Sequence, residues 1–323
     1  MLQRPRRNRK SAVVREMVAE TYLRSSDLIF PLFVQAGENL KVPVDSMPGI
    51  FRLSADSLLK EIESCLSLGL QSVALFPCIE DYLKDPQATE ATNQQGLYLS
   101  TLRSLKKEFP ELTIMTDVAM DPYSSDGHDG LVRNGEIVND ETLDILANMA
   151  LAQAQAGADI IGPSDMMDGR VMAIRQLLDD NGHQNVSIMS YTAKYASAFY
   201  GPFRNALDSA PKEGDKKTYQ MDPRNRREAL REAQLDEQEG ADFLMVKPAL
   251  AYLDVISDIR RHSNLPVAAY NVSGEYAMIK AAAGNNWLDG EATMVESLTA
   301  IKRAGADIIL TYFAKEFLQW QKS

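Results

Sequence analysis

Ala156-Gly157-Ala158-Asp159 has two counterparts later in the chain, Glu239-Gly240-Ala241-Asp242 and Ala304-Gly305-Ala306-Asp307. Each closes a stretch with helical periodicity and opens a short apolar run. Glycine at such a place supplies the left-handed residue that stops a helix at little cost. Three copies of one helix-to-strand turn point to a repeated α-to-β unit. Apolar runs occupy residues 28–34, 70–76, 112–119, 159–163, 186–191, 243–246, 267–272 and 308–313. They are nearly continuous rather than alternating, the pattern of parallel strands covered on both faces by helices. Helix-length segments such as 54–68, 140–155, 224–239 and 291–303 lie between them. Eight such units predict an α/β fold of the closed (β/α)8 (TIM) barrel type over residues 27–323. A doubly wound open sheet is the competitor, but no Gly-x-Gly-x-x-Gly follows the first strand.

Composition narrows the function classes. With 323 residues and 45% hydrophobic content, the chain is long enough for one large barrel and too apolar for disorder. Its 34 Lys and Arg against 45 Asp and Glu leave a net charge of −11, which repels nucleic acid and anionic membranes. No apolar run reaches the roughly 20 residues that span a bilayer. No apolar core follows the basic residues at the start, so a secretory signal is not expected. Two cysteines, Cys65 and Cys78, cannot form a disulfide framework, and a cytoplasmic location is expected. Residues 1–26 differ from the rest, with Arg4, Arg6, Arg7, Arg9, Lys10 and Arg15 in a stretch poor in apolar residues. They read either as a solvated tail or as an arm that docks on the acidic surface of another subunit.

In a barrel of this kind the chemistry sits where strands end and βα loops begin. The sixth run passes directly into Lys247-Pro248, and the fifth leads to Lys194. Neighbouring strands are about 4.8 Å apart, so the two amines converge. Burial and a second nearby cation both lower a lysine pKa and yield a neutral amine able to attack a carbonyl. A lysine snorkelling to solvent is the plainer reading. Residues 117–130 place Asp117, Asp121, Asp126, Asp129 and His128 after the third strand, suited to proton transfer, iminium stabilisation or a hard cation, or else to a polar surface loop. The connection 195–222 has the length of a lid. It carries Tyr200, Phe203, Arg204, Lys216, Lys217 and Gln220, of which Arg204 and Lys216 can clamp a carboxylate, whereas Lys217 reads as a solvated charge. Ser273 and Tyr312, after strands seven and eight, face the same mouth, unless they serve as a helix cap and as wall packing. Together these groups predict Schiff-base chemistry on a keto acid.

The segment 117–130, Tyr191-Thr192-Ala193-Lys194-Tyr195, Phe199-Tyr200-Gly201-Pro202-Phe203-Arg204, Met245-Val246-Lys247-Pro248, Tyr270-Asn271-Val272-Ser273-Gly274-Glu275-Tyr276 and Thr311-Tyr312 resemble the porphobilinogen synthase (5-aminolevulinate dehydratase) family. The resemblance runs in order through nearly the whole chain. It implies an extended amino-terminal arm, a homo-octamer, and condensation of two 5-aminolevulinate molecules into porphobilinogen with loss of two waters. It assigns Lys247 to the Schiff base on the propionate side and Lys194 to the second substrate. Ser273 and Tyr312 match ligands of the first carboxylate; Arg204, Lys216 and Gln220 match those of the second. Asp117 matches an acid near the reacting amines, and Tyr200, Phe203 and Tyr270 match pocket walls.

Metal use is where the chain departs from the zinc-dependent members, which place cysteines where this sequence has Ala119, Asp121 and Asp129. Thiolates favour Zn²⁺ and carboxylates favour hard cations, so no catalytic zinc is expected. Asp121 and Asp129 are candidates for Mg²⁺ or a monovalent cation such as K⁺, or for hydrogen bonding alone. Glu232 matches the family's allosteric Mg²⁺ ligand, one helical turn after Glu228; an ion pair with Arg227 or Arg231 is the plainer alternative. Two other classes compete with the synthase reading. A class I aldolase-type barrel calls for phosphate-binding glycines after strands seven and eight, which are not evident. A catalytically dead scaffold barrel usually interrupts the lysine pair or the lid, and neither is interrupted.

Overall fold

The computed structural model describes residues 1–207 and 211–322. Its three Gly-Ala-Asp junctions are built alike. Helices Asn139–Gln155, Glu228–Glu239 and Gly290–Ala304 end at Gly157, Gly240 and Gly305, whose φ angles are +105°, +102° and +125°. The aspartate that follows reaches sideways. Asp159, Asp242 and Asp307 accept the backbone N–H groups of Ile114, Ile188 and Val267 at 2.8, 2.7 and 2.9 Å. Each junction therefore ties the strand it opens to the strand before it in the sheet.

Eight parallel strands result: β1 Leu28–Gln35, β2 Ser72–Cys78, β3 Thr113–Val118, β4 Ile160–Pro163, β5 Ser187–Lys194, β6 Phe243–Lys247, β7 Val267–Asn271 and β8 Ile308–Thr311. They pair in sequence order, and β8 pairs back to β1 through Leu28 opposite Ile309 and Ile29 opposite Leu310. The sheet is closed, as the repeated junction predicts. Most strand positions are buried, because helices cover the outer face while side chains fill the inside.

Both lysine-bearing strands run further than the apolar runs suggest. Lys194 and Lys247 are the last residues of their strands rather than loop residues. Two short pairings also escape sequence reading: Lys41–Pro43 with Phe51–Leu53, and Leu131–Arg133 with Glu136–Val138. Three-residue strands are too short to show a period. In the first 26 residues the chain forms a 3-10 turn, Pro5–Arg9, and a short helix, Ala12–Met17, neither of which buries any residue. Among the described residues no helix is long and apolar enough to cross a membrane.

Replacing Gly157 by Ala tests the junction. The new Cβ would lie 2.8 Å from Lys106 Cγ on a left-handed backbone, and the expected cost is about 1–2 kcal/mol. A lower urea midpoint with an unchanged slope is expected; an unchanged midpoint would show that the junction is not under this constraint.

Candidate active site

Lys194 and Lys247 are paired in register at the ends of β5 and β6. A slip in the ladder sets their direction. Leu244 pairs with Ser190, yet Val246 pairs with Ala193, so β5 holds one extra residue between those points. Residues three apart on a regular strand face opposite sides. The bulge brings Tyr191 and Lys194 to the same neighbourhood, where the Tyr191 ring lies 5.9 Å from Lys194 Nζ and 5.0 Å from Lys247 Nζ.

Lys247 is surrounded by apolar faces. Besides Tyr191, the rings of Tyr200, Phe203 and Tyr270 lie 5.2, 5.1 and 4.7 Å from its Nζ. It forms no hydrogen bond or ion pair with any described residue. Burial, reinforced by the positive charge of Lys194, lowers its pKa to about 7, against the pull of Asp117, Asp121 and Asp129. Near neutrality much of it is free amine. Tyr200 fixes the same residue from behind by donating its hydroxyl to the Lys247 carbonyl at 3.1 Å.

Lys194 is treated differently. Its Nζ lies 3.1 Å from Asp129 Oδ2 and also donates to the Ser164 carbonyl. One amine is thus unpaired among the described residues and the other sits in an ion pair. Asp129 is fully buried and also accepts Lys216 Nζ on Oδ1 at 2.6 Å and, more weakly, Gln220 Nε2 on Oδ2 at 3.4 Å. Burial alone would raise its carboxyl, but Lys194 and Lys216 overcome this and hold it below the usual carboxylate range. Lys216 Nζ also lies 3.0 Å from Asp121 Oδ2. Asp121 is nonetheless raised, because it is buried and shares that one ammonium with Asp129. Asp117 is raised to about 7 by burial and then by Asp121, with Lys247, Lys194 and a Ser164 hydrogen bond opposing. An acid raised to about 7 and an amine lowered to about 7 thus lie close enough to shift one another.

The other residues singled out in the sequence gather around this pair. Tyr312 and Tyr270 share a hydroxyl–hydroxyl contact of 3.0 Å. Ser273 Oγ accepts the Phe203 N–H at 3.0 Å, so it caps the lid rather than its own helix. Close packing against the lid requires glycine next door, since a Cβ on Gly274 would meet the Phe199 carbonyl at 2.5 Å. Arg204 sits half-buried in the helix Gly201–Leu207 and pairs with no described residue. It is thereby separated in role from Lys216, which already serves two carboxylates. Both ends of the connection 195–222 are pinned beside the lysines, with Tyr195 N–H donating to the Lys247 carbonyl at 3.0 Å and Met221 N–H to the Lys194 carbonyl at 3.0 Å. Residues 208–210 of that connection lie outside the described residues. Lys194 and Lys247 are each only 6% exposed, as a covered mouth requires. Cys78 ends β2 at the same rim, but burial pushes its thiol up to about 12, so it offers no thiolate. Glu232 lies on the helix Glu228–Glu239 and pairs with neither Arg227 nor Arg231.

Several residues take parts that the sequence did not assign to them. Tyr191 carries a buried hydroxyl with no described partner, and its place beside both lysines depends on the bulge. Ser164 supplies a carbonyl to Lys194. His128 bridges the Tyr219 hydroxyl and the Glu213 carbonyl at 3.1 and 2.9 Å, clipping the lid to the loop after β3. Glu275 accepts the N–H groups of Leu250 and Val272 at 2.7 and 3.0 Å, bracing the loop behind Lys247. These roles need long-range contacts that no local pattern shows.

A closed (β/α)8 barrel whose rim gathers two buried lysines and the buried acids Asp117, Asp121 and Asp129 places the chain among the α/β-barrel enzymes. Comparisons with known proteins identify its family. The chain belongs to the delta-aminolevulinic acid dehydratase family, whose profile matches residues 2–320. The chain is 58% identical over 313 residues to the chloroplastic delta-aminolevulinic acid dehydratase of Glycine max, a match covering 96% of this chain and 76% of the relative. A bacterial delta-aminolevulinic acid dehydratase, from Bradyrhizobium diazoefficiens, is 55% identical over 312 residues, covering 96% and 88%. Among solved structures, the porphobilinogen synthase of Toxoplasma gondii ME49, in complex with its reaction product porphobilinogen, superposes with a TM-score of 0.97 at 53% identity, covering 99% of this chain and 92% of that one. The plant relatives overturn the expected cytoplasmic location: the Glycine max and Arabidopsis thaliana enzymes are both designated chloroplastic. Free thiols mark a reducing compartment without saying which one.

The electrostatics around Lys247 can be tested with a neutral acylating reagent and mass mapping. Lys194→Met removes a like charge, so Lys247 should regain protons and label roughly fivefold more slowly at pH 7; Asp117→Asn removes an opposite charge and should label about twofold faster. Equal rates in all three proteins would contradict the coupling.

Proposed function

We propose that the chain condenses two molecules of 5-aminolevulinate into porphobilinogen, a hydro-lyase reaction that releases two waters and serves tetrapyrrole (heme and chlorophyll) synthesis. The observation that carries the reading is the Lys247 amine, buried among four rings without a hydrogen bond and in register with Lys194. Such an amine is a nucleophile toward a ketone. Attack of Nζ on the keto carbon gives a carbinolamine; the former carbonyl oxygen then leaves as water, and an imine remains on Lys247. Asp117, raised to about 7, can give and regain the proton that this departure needs. Lys194 forms the second imine after passing its Asp129 contact to the bound substrate. Two imines hold both substrates in one orientation, which replaces an encounter in solution by an intramolecular reaction. Ser273 and Tyr312 take the first carboxylate. Arg204 and Gln220 take the second, supported by the lack of any described partner for Arg204 and by the unpaired, buried Oε1 of Gln220. Tyr200, Phe203 and Tyr270 form the walls.

Mg²⁺ is assigned to Glu232 as an allosteric ion. The support is electrostatic: burial pushes the Glu232 carboxyl up to about 7, and Asp236, Asp168 and Glu228 add to this against Arg170. A largely hydrated Mg²⁺ needs one direct carboxylate and would relieve that excess of negative charge. Assembly into a homo-octamer through residues 1–26 is part of the same reading. Leu2, Val13, Met17 and Val18 are all exposed, and neither the turn Pro5–Arg9 nor the helix Ala12–Met17 buries a residue within its own chain. The basic residues of this arm complement an acidic second copy.

Reduction with sodium borohydride in the presence of 5-aminolevulinate, followed by peptide mass mapping, should place adducts on Lys247 and Lys194. Lys247→Met should lose turnover while keeping its fold, with a melting temperature no lower than the parent because a desolvated amine is replaced by an apolar chain. No adduct, an adduct only with a sugar phosphate, or near-normal activity in Lys247→Met would reject the assignment.

A further inference from the structure

The carboxylates of Asp121 and Asp129, where the family resemblance implies cysteines in zinc-dependent members, converge on one point. That point is filled by a side chain. Lys216 Nζ lies 3.0 Å from Asp121 Oδ2 and 2.6 Å from Asp129 Oδ1, and Lys216 is itself 6% exposed. We infer that Lys216 is the resident cation of this active site, an ammonium built into the chain at the place a metal ion would take. The inference rests on reading this cleft as the reaction centre.

Three observations carry it. The first is charge balance: Asp121 and Asp129 bring two negative charges, and Lys194 and Lys216, both in contact with Asp129, bring two positive ones. A divalent ion placed between those carboxylates would meet two ammonium groups at close range with no charge left to hold it. The second is the donor set. Magnesium requires six oxygens in near-octahedral order and zinc four donors, and among the described residues no group of three or more His, Cys, Asp or Glu side chains is placed to hold a metal. The residues present do not fit a catalytic metal. The third is geometry: the two lysines grip opposite oxygens of Asp129, Lys216 on Oδ1 and Lys194 on Oδ2. Lys216 thus orients Asp129, and Asp129 orients Lys194, which makes Lys216 a positioning residue.

Its origin adds a mechanical consequence. Lys216 belongs to the connection that covers the mouth, whereas both carboxylates stand on the loop after β3. Seating the cover and installing the positive charge are therefore one event. A buried fixed charge of this kind costs no reorganisation when substrate arrives.

Cation counting on the full-length protein, without substrate, tests this separately from the Schiff-base reading, which the borohydride adducts report. Wild type, Lys216→Ala, Lys216→Arg and Asp129→Asn are stripped with chelator and titrated with Mn²⁺, with free ion followed by electron paramagnetic resonance. Lys216→Ala should bind about one more Mn²⁺ per chain than wild type, Lys216→Arg should match wild type, and Asp129→Asn should not fall below it. Lys216→Ala should lose roughly a hundredfold in kcat and recover part of it with added methylammonium, which wild type ignores. A wild-type count that drops by one in Asp129→Asn would show a metal already seated there and overturn the inference. So would a Lys216→Ala protein that gains no ion and shows only a raised KM, the mark of a substrate-carboxylate ligand. Should Lys216→Ala fail to fold, wild type against Asp129→Asn still decides.

Discussion

An ammonium group ringed by aromatic faces, with no counter-ion at contact among the described residues, is an expensive thing to bury, and the environment of Lys247 follows from that cost. Bringing such a charge into a protein interior costs several kcal/mol even after relaxation. Facing aromatic rings return about 2 kcal/mol or more when desolvated. The rings around Nζ offset part of the cost, but burial and then the nearby Lys194 still weigh against the cation. Releasing the proton is the cheaper outcome. The same step that stabilises the resting site produces the nucleophile.

Lys194 is the control built into the same rim. It lies one strand away, at the same level, and unlike Lys247 it touches the fully buried Asp129 carboxylate and the Ser164 carbonyl. Two lysines with the same side chain thus have different partners, supplied by the loops after β3 and β4. The loop after β3 also accepts Lys216 from the far side of the mouth and is clipped to the lid through His128 and Tyr219. The site is held from three directions, by β5, by the loop after β3 and by the lid, and each meets the others at Asp129.

How much of this could be read from sequence depends on how local the cause is. The barrel was legible because its unit is local: a glycine that must be left-handed, followed by an aspartate that caps the neighbouring strand, repeats in a fixed pattern at Gly157, Gly240 and Gly305. The two lysines were legible for the same reason, each following an apolar run directly. The bulge in β5 was not legible, and with it the place of Tyr191, since an extra residue in a strand is defined only against its partner. The contacts of Lys216 with Asp129 and Asp121 were not legible, because a Lys in a lid says nothing about acids 87 and 95 residues away in the chain. The ion pair of Lys194 with Asp129 was hidden for the same reason.

The most direct measurement is the titration of Lys247 itself in the intact, substrate-free protein. Lysine labelled at the ε position with ¹³C and ¹⁵N and followed by NMR gives one resonance that disappears in Lys247→Met, and its shift against pH reports the protonation of that amine alone. A midpoint near 7 is predicted. A midpoint in the ordinary lysine range, above about 10, would mean that Lys247 remains a cation at neutral pH, and the account of the site built on a free amine would be wrong.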